Sequence, residues 1–154
     1  MKKIYKLIIS LLIPQLAGGL GSLFTASSVG EWYLTIEKSP LNPPGWVFGP
    51  VWTTLFLLMG YALYLVWTSE GEKRKQAFGI FAIQIILNVL WSVLFFGLRS
   101  PGLALLEIIV LWVAILSNII FFGRANKLAG YLLIPYILWV SFAIYLNFSI
   151  WRLN

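Results

Sequence analysis

A chain of 154 residues that is 60% hydrophobic and only 10% charged, with a mean hydropathy of +0.90, is too apolar for a water-soluble domain and belongs among integral membrane proteins. Cysteine, histidine and aspartate are all absent and the acids are five glutamates, which excludes disulfides, thiol chemistry and histidine-based metal or haem sites and argues against hydrolytic or metal-dependent catalysis. The net charge of +6 comes from basic residues that flank apolar runs, so it reads as topology signals and anionic-lipid contacts rather than as a nucleic-acid surface.

Five apolar runs, at 4–26, 46–68, 77–98, 102–122 and 130–151, are each long enough to cross a hydrocarbon core of about 30 Å at about 1.5 Å per helical residue. Their continuous apolar character fits helices and not the alternating segments of about ten residues that build a barrel. The expected fold is all-α, one domain spanning 1–154 and made of five transmembrane helices. The first run could serve as a signal peptide behind Lys2, Lys3 and Lys6. It is longer than the usual apolar region of such a peptide and lacks a clear small-residue cleavage site, so a first membrane helix is expected. With the amino terminus inside, eight of the 11 basic residues fall on the cytoplasmic face, leaving Lys38, Arg99 and Arg152 outside.

In the first run, Gly18, Ser22 and Ala26 recur every four residues. Such a small-residue stripe lets a neighbouring helix backbone approach closely, and Pro14 should kink the helix. The segment 27–45 is long and carries Trp32, Tyr33, Glu37, Lys38 and three prolines. It reads either as a lid over a site or as an interfacial linker with its aromatics in the headgroup belt. Pro43-Pro44-Gly45 then forms a rigid turn into the second run, where Phe48, Trp52 and Phe56 share a face that could line a flat apolar pocket.

The third run puts Gln84, Asn88, Trp91 and Phe95 on one stripe. Because burying an amide in hydrocarbon costs a few kcal/mol without a partner, this face should point into the bundle. Glu107, early in the fourth run, reads as a residue that snorkels towards headgroups or pairs with Arg99; Asn118, near the other end, reads as packing or capping. In the fifth run Trp139, Ala143 and Leu146 share a face, with a small residue between two large ones forming a recess.

These residues together resemble the TspO/translocator protein family, also called tryptophan-rich sensory proteins and peripheral-type benzodiazepine receptors. The resemblance covers nearly the whole chain. It rests on Trp32-Tyr33, Lys38, Pro43-Pro44, Trp46, Phe48, Pro50, Trp52 and Gly60-Tyr61, then on Asn88, Trp91, Phe95-Phe96-Gly97, Ala104-Leu105 and Leu111-Trp112. It continues through Pro135-Tyr136, Trp139, Phe142-Ala143, Leu146-Asn147 and Trp151-Arg152-Leu153-Asn154. The chain departs from the family pattern at Ser39 and Leu41 and carries Glu107 where aspartate is frequent.

The resemblance implies a five-helix bundle, usually a homodimer, with a cavity near the long first loop that binds porphyrins and benzodiazepine or isoquinoline carboxamide ligands. Carried over by position, the binding residues are Tyr33, Trp52, Phe56, Asn88, Trp91, Trp139, Ala143 and Leu146, with no metal and no resident cofactor. The resemblance also implies light- and oxygen-dependent porphyrin degradation, for which Trp52 and Trp139 are the catalytic candidates. The alternatives are a tetrapyrrole sensor or transporter without chemistry, or a structural, partner-regulating membrane protein. The short basic amino terminus fits a bacterial cytoplasmic membrane.

Overall fold

The computed structural model describes residues 1–154; its regular structure is entirely helical, with no strand. Helix α1 is Lys3–Val29, and after a turn the short α2 is Trp32–Thr35. A 3-10 turn, Gly45–Val47, leads into α3, Phe48–Trp67. Helix α4, Lys73–Ser92, continues into a π-helical turn, Val93–Gly97. Then follow α5, Pro101–Ala125, α6, Lys127–Leu132, and α7, Ile134–Leu153. Five helical stretches of 23 to 27 residues are long and apolar enough to span a bilayer, the last being α6 and α7 together.

The boundaries differ from the sequence expectation at several ends, α4 starting at Lys73 and α5 running to Ala125 among them. Helix α1 runs on through 27–29, where Ser27 Oγ donates back to Phe24 O at 2.8 Å and Ser28 Oγ reaches across to Phe96 O. The segment expected to be one loop also holds α2. The fifth span starts earlier, at Lys127, because Asn126 caps it by accepting from Ala129 N at 3.2 Å. Pro135, which has no N–H to give, lies in the first turn of α7 and marks the break from α6.

The spans close a ring. Helix α1 packs on α3 and α4, α4 on α5, α5 on α6 and α7, and α6 on α3. Inside, Met59, Ala62 and Val66 of α3, Ile115 and Phe122 of α5, and Tyr136 of α7 are essentially inaccessible. Only 32 of 154 residues are buried, far fewer than the apolar residues present. The remainder, such as Leu16, Ile86, Leu106 and Leu138, face outward, as suits a chain whose solvent is lipid.

Candidate functional site

Within the ring lies a cavity of about 390 Å³ to which all five spans contribute, along with the segment between α1 and α3. Tyr33, Trp52, Phe56, Asn88, Trp91, Trp139, Ala143 and Leu146 all line it. The four-residue spacings explain why: Phe48, Trp52 and Phe56 fall on one face of α3, and Trp139, Ala143 and Leu146 on one face of α7. The sequence reading missed α1. Gly18 and Ser22, expected to pack against a helix, line the cavity together with Gly21, Thr25 and Val29, while Ala26 is exposed. The shared face of 18, 22, 25 and 29 was the available signal.

The walls are built from aromatic pairs. Trp52 lies beside Phe56 at 5.4 Å between ring centroids and edge-on to Tyr136 at 6.2 Å. Trp139 is edge-on to Phe48 at 6.0 Å and to Phe142 at 5.7 Å. Trp91 stacks on Phe95 at 4.8 Å. The π turn, closed by Leu98 N donating to Val93 O at 2.8 Å, presents Phe95 and Phe96 together, 4.8 Å apart. An added residue in a helical turn re-aims side chains in this way, often at functional sites. Offset and edge-on packing holds each ring in one orientation.

The polar groups are few, and most are spent on one another. Asn88 Nδ2 donates to the Tyr136 hydroxyl at 2.7 Å, and that hydroxyl donates to Gln84 Oε1 at 2.8 Å. Gln84 Nε2 completes the chain at Met59 Sδ, 3.7 Å away. The stripe on α4 thus points inward, as its amides required. Trp91 Nε1 donates to Asn147 Oδ1 at 2.9 Å, and Asn147 Nδ2 donates to Pro101 O at 2.9 Å. The indole N–H groups of Trp52 and Trp139 have no protein acceptor and Asn88 Oδ1 has no donor; these groups of the cavity lining, with the Ser92 hydroxyl, are therefore available to a ligand.

Above the cavity, Tyr33 and Asn42 join the lining, and Asn42 Nδ2 donates to the Tyr33 hydroxyl at 3.0 Å. Burial pushes the Tyr33 phenol above its ordinary value, partly offset by that hydrogen bond. Trp32 and Tyr33 pack on Phe95 and Phe96, and Lys38 Nζ sits 4.5 Å from the Tyr33 ring centre. Ser39 Oγ and the Tyr145 hydroxyl are 2.9 Å apart.

The Asn154 amide clasps the same segment. Its Oδ1 accepts from Glu37 N at 3.0 Å and its Nδ2 donates to Glu37 O at 2.9 Å. Asn154→Ala should leave the melting temperature almost unchanged while residues 36–42 exchange their amide hydrogens roughly fivefold faster, as loss of about 1 kcal/mol of local stability requires. Unchanged exchange would show that the clasp does not hold the segment.

Glu107 and Arg99 do not meet. Arg99 Nη2 lies 3.4 Å from Glu31 Oε2, and Arg99 Nε donates to Ser28 Oγ at 3.2 Å. These bonds hold Arg99 at φ 51°, the one non-glycine residue with positive φ, in the turn before α5. Glu107 is instead buried, with neither oxygen hydrogen-bonded, and so does not snorkel. Asn118 is likewise buried and unpaired, so it packs and does not cap. No group of acids elsewhere could hold a metal ion.

The sequence profile of the TspO/MBR family matches residues 10–152. The chain belongs to the TspO/MBR family. It is 43% identical to the tryptophan-rich protein TspO of Chlorobaculum tepidum over 99% of this chain and 98% of that protein. It is also 43% identical to the tryptophan-rich protein TspO of Archaeoglobus fulgidus, over 98% of both chains. The human translocator protein is 38% identical over 93% of this chain and 86% of that one. This TspO/MBR chain is a multi-pass membrane protein with an aromatic cavity enclosed by its five spans.

Proposed function

We propose that the cavity binds a tetrapyrrole of the protoporphyrin IX type, and related flat aromatic ligands of the benzodiazepine and isoquinoline carboxamide kind, and that it promotes light- and oxygen-dependent degradation of the porphyrin. The observation that carries this reading is the pair of unengaged indoles, Trp52 and Trp139, in a wall rich in aromatic rings. Rings supply stacking area, and the free N–H groups and Asn88 Oδ1 supply orienting hydrogen bonds to a macrocycle with both donors and acceptors.

Tryptophan is the most easily oxidised aromatic side chain, and a photoexcited porphyrin is a one-electron oxidant. Transfer from an indole leaves an indole radical cation and a porphyrin radical anion. Dioxygen, the co-substrate, adds to the reduced macrocycle, and the oxygenated radical anion returns one electron to the indole. The net change is addition of dioxygen to the porphyrin, with the protein unaltered. The cavity's part is to hold the macrocycle against the indoles and to limit the water around it.

The test mixes purified protein with protoporphyrin IX in detergent and follows absorbance in light and darkness. Trp52→Phe/Trp139→Phe should keep binding within a few fold, because a ring remains at each position, while slowing light-dependent loss roughly tenfold or more. Equal rates in both single variants and the double variant would remove the assignment. Saturable binding without loss would favour a sensor, a reading supported by the 38% identity over 124 residues to the tryptophan-rich sensory protein of Cereibacter sphaeroides.

The same reading has the chain work as a homodimer in a bacterial cytoplasmic membrane with the basic end inside. Cross-linking in native membranes and protease access to the 69–73 turn test the two parts separately.

A further inference from the structure

Eight of the 11 basic residues gather at one end of the bundle: Lys2, Lys3 and Lys6 of α1 and its lead-in, Lys73, Arg74 and Lys75 opening α4, Arg124 closing α5, and Lys127 opening α6. Glu70 and Glu72 share that end, but neither forms an ion pair. The one ion pair in the chain, Arg99 with Glu31, is at the opposite end. The positive excess is therefore not answered by the protein's own carboxylates.

These cations are not equivalent. Helix α1 lies against both α3 and α4, and where the three meet, Trp67, the last residue of α3, engages two of them. Lys6 Nζ is 5.7 Å from the Trp67 ring centre, and Arg74 Nη1 donates to the Trp67 carbonyl at 3.1 Å. Lys6, Trp67 and Arg74 are half-buried, whereas Lys2, Lys3, Lys73 and Lys75 are exposed. Two cations are thus held at either end of one residue at reduced freedom. The guanidinium has spent one of its five donors, and the ammonium faces a ring and no acceptor.

Neither cation has a carboxylate within ion-pair distance. On the Lys6 face of α1, Ile9 and Ile13 are exposed apolar surface, and so is Tyr61 of α3. We infer that the junction of α1, α3 and α4 binds the phosphate of an anionic phospholipid between Lys6 and Arg74, with its acyl chains along the adjacent apolar faces. Paired, partly immobilised cations at the mouth of an apolar surface suit a headgroup with tails, and a soluble anion would use only half of that surface.

The experiment uses the full chain in neutral detergent with phosphatidylglycerol, phosphatidylcholine or inorganic phosphate, reading retained lipid by native mass spectrometry and the unfolding midpoint by thermal scan. Phosphatidylglycerol should be retained and raise the midpoint; phosphatidylcholine and inorganic phosphate should do neither. Lys6→Gln/Arg74→Gln should weaken phosphatidylglycerol retention roughly thirtyfold, while Arg124→Gln/Lys127→Gln, which removes the same charge from the same end, should change it less than about threefold. Equal retention of phosphatidylcholine, an equal shift with inorganic phosphate, or equal losses in the two double variants would overturn the inference. Should the Lys6/Arg74 variant fail to fold, Lys6→Gln alone, which breaks no hydrogen bond, should weaken retention about fivefold, and an unchanged value would be equally decisive against the site.

Discussion

Gly60→Ala is expected to destabilise the bundle by about 2–3 kcal/mol, the upper part of the range for forcing a methyl group into a filled interior. A Cβ at Gly60 would lie 2.7 Å from both Leu11 Cα and Ser10 O, which are backbone atoms that no rotamer change can move aside. Helices α1 and α3 must then separate by several tenths of an ångström along their shared face, losing dispersion contacts on both sides. Gly19→Ala is the control. A Cβ there meets nothing within 4 Å, and the substitution should be neutral or stabilise by the helix-propensity difference of up to about 1 kcal/mol. Thermal unfolding of both variants in one detergent decides the matter: equal midpoints would mean that the close approach at Gly60 does not hold α1 on α3. Because α1 also lines the cavity through Gly18 and Ser22, the Gly60 variant should lose ligand affinity as well as stability.

Gly60 also shows where the sequence was silent. The Gly18, Ser22 and Ala26 stripe announced close packing by its periodicity, yet at Gly18 a Cβ would meet the Phe56 ring at 2.5 Å, so its small size makes room for a cavity aromatic and not for a backbone. Small residues on a helix signal that something comes near without saying whether it is a helix, a ring or an empty space. Aromatic spacing was more informative. Phe48, Trp52 and Phe56, and likewise Trp139, Ala143 and Leu146, could share a face only one way once each run was helical, and both faces line the cavity.

The amides of α4 were legible for a different reason, since Gln84 and Asn88 could not be left to lipid and had to find partners inside. Their partner, Tyr136, was not nameable, because which helix lies opposite depends on the order of spans around the ring. The same holds for Arg99. Its partner Glu31 lies 68 residues earlier in the chain, and proximity along the sequence had favoured Glu107.

Glu107→Leu is expected to raise stability by about 1–2 kcal/mol, an unusual direction for a single substitution at a buried site. The side chain is 7% exposed and neither carboxyl oxygen has a hydrogen-bond partner, so folding strips it of solvent without compensation. An unsatisfied buried polar group costs roughly 1–3 kcal/mol, and an apolar replacement of similar volume removes that cost. Glu107→Gln should show little of the gain, because its amide needs partners in the same place; the contrast between the two variants separates loss of polarity from loss of charge. A leucine variant less stable than the parent would mean that the carboxyl is satisfied, by water or by a second chain. Acids in membrane spans are costly enough that one kept without a structural partner points to use. If Glu107→Leu is more stable but degrades protoporphyrin IX more slowly at unchanged affinity, the carboxyl serves the reaction from outside the cavity lining. If rate and affinity both hold, stability is the whole of its effect.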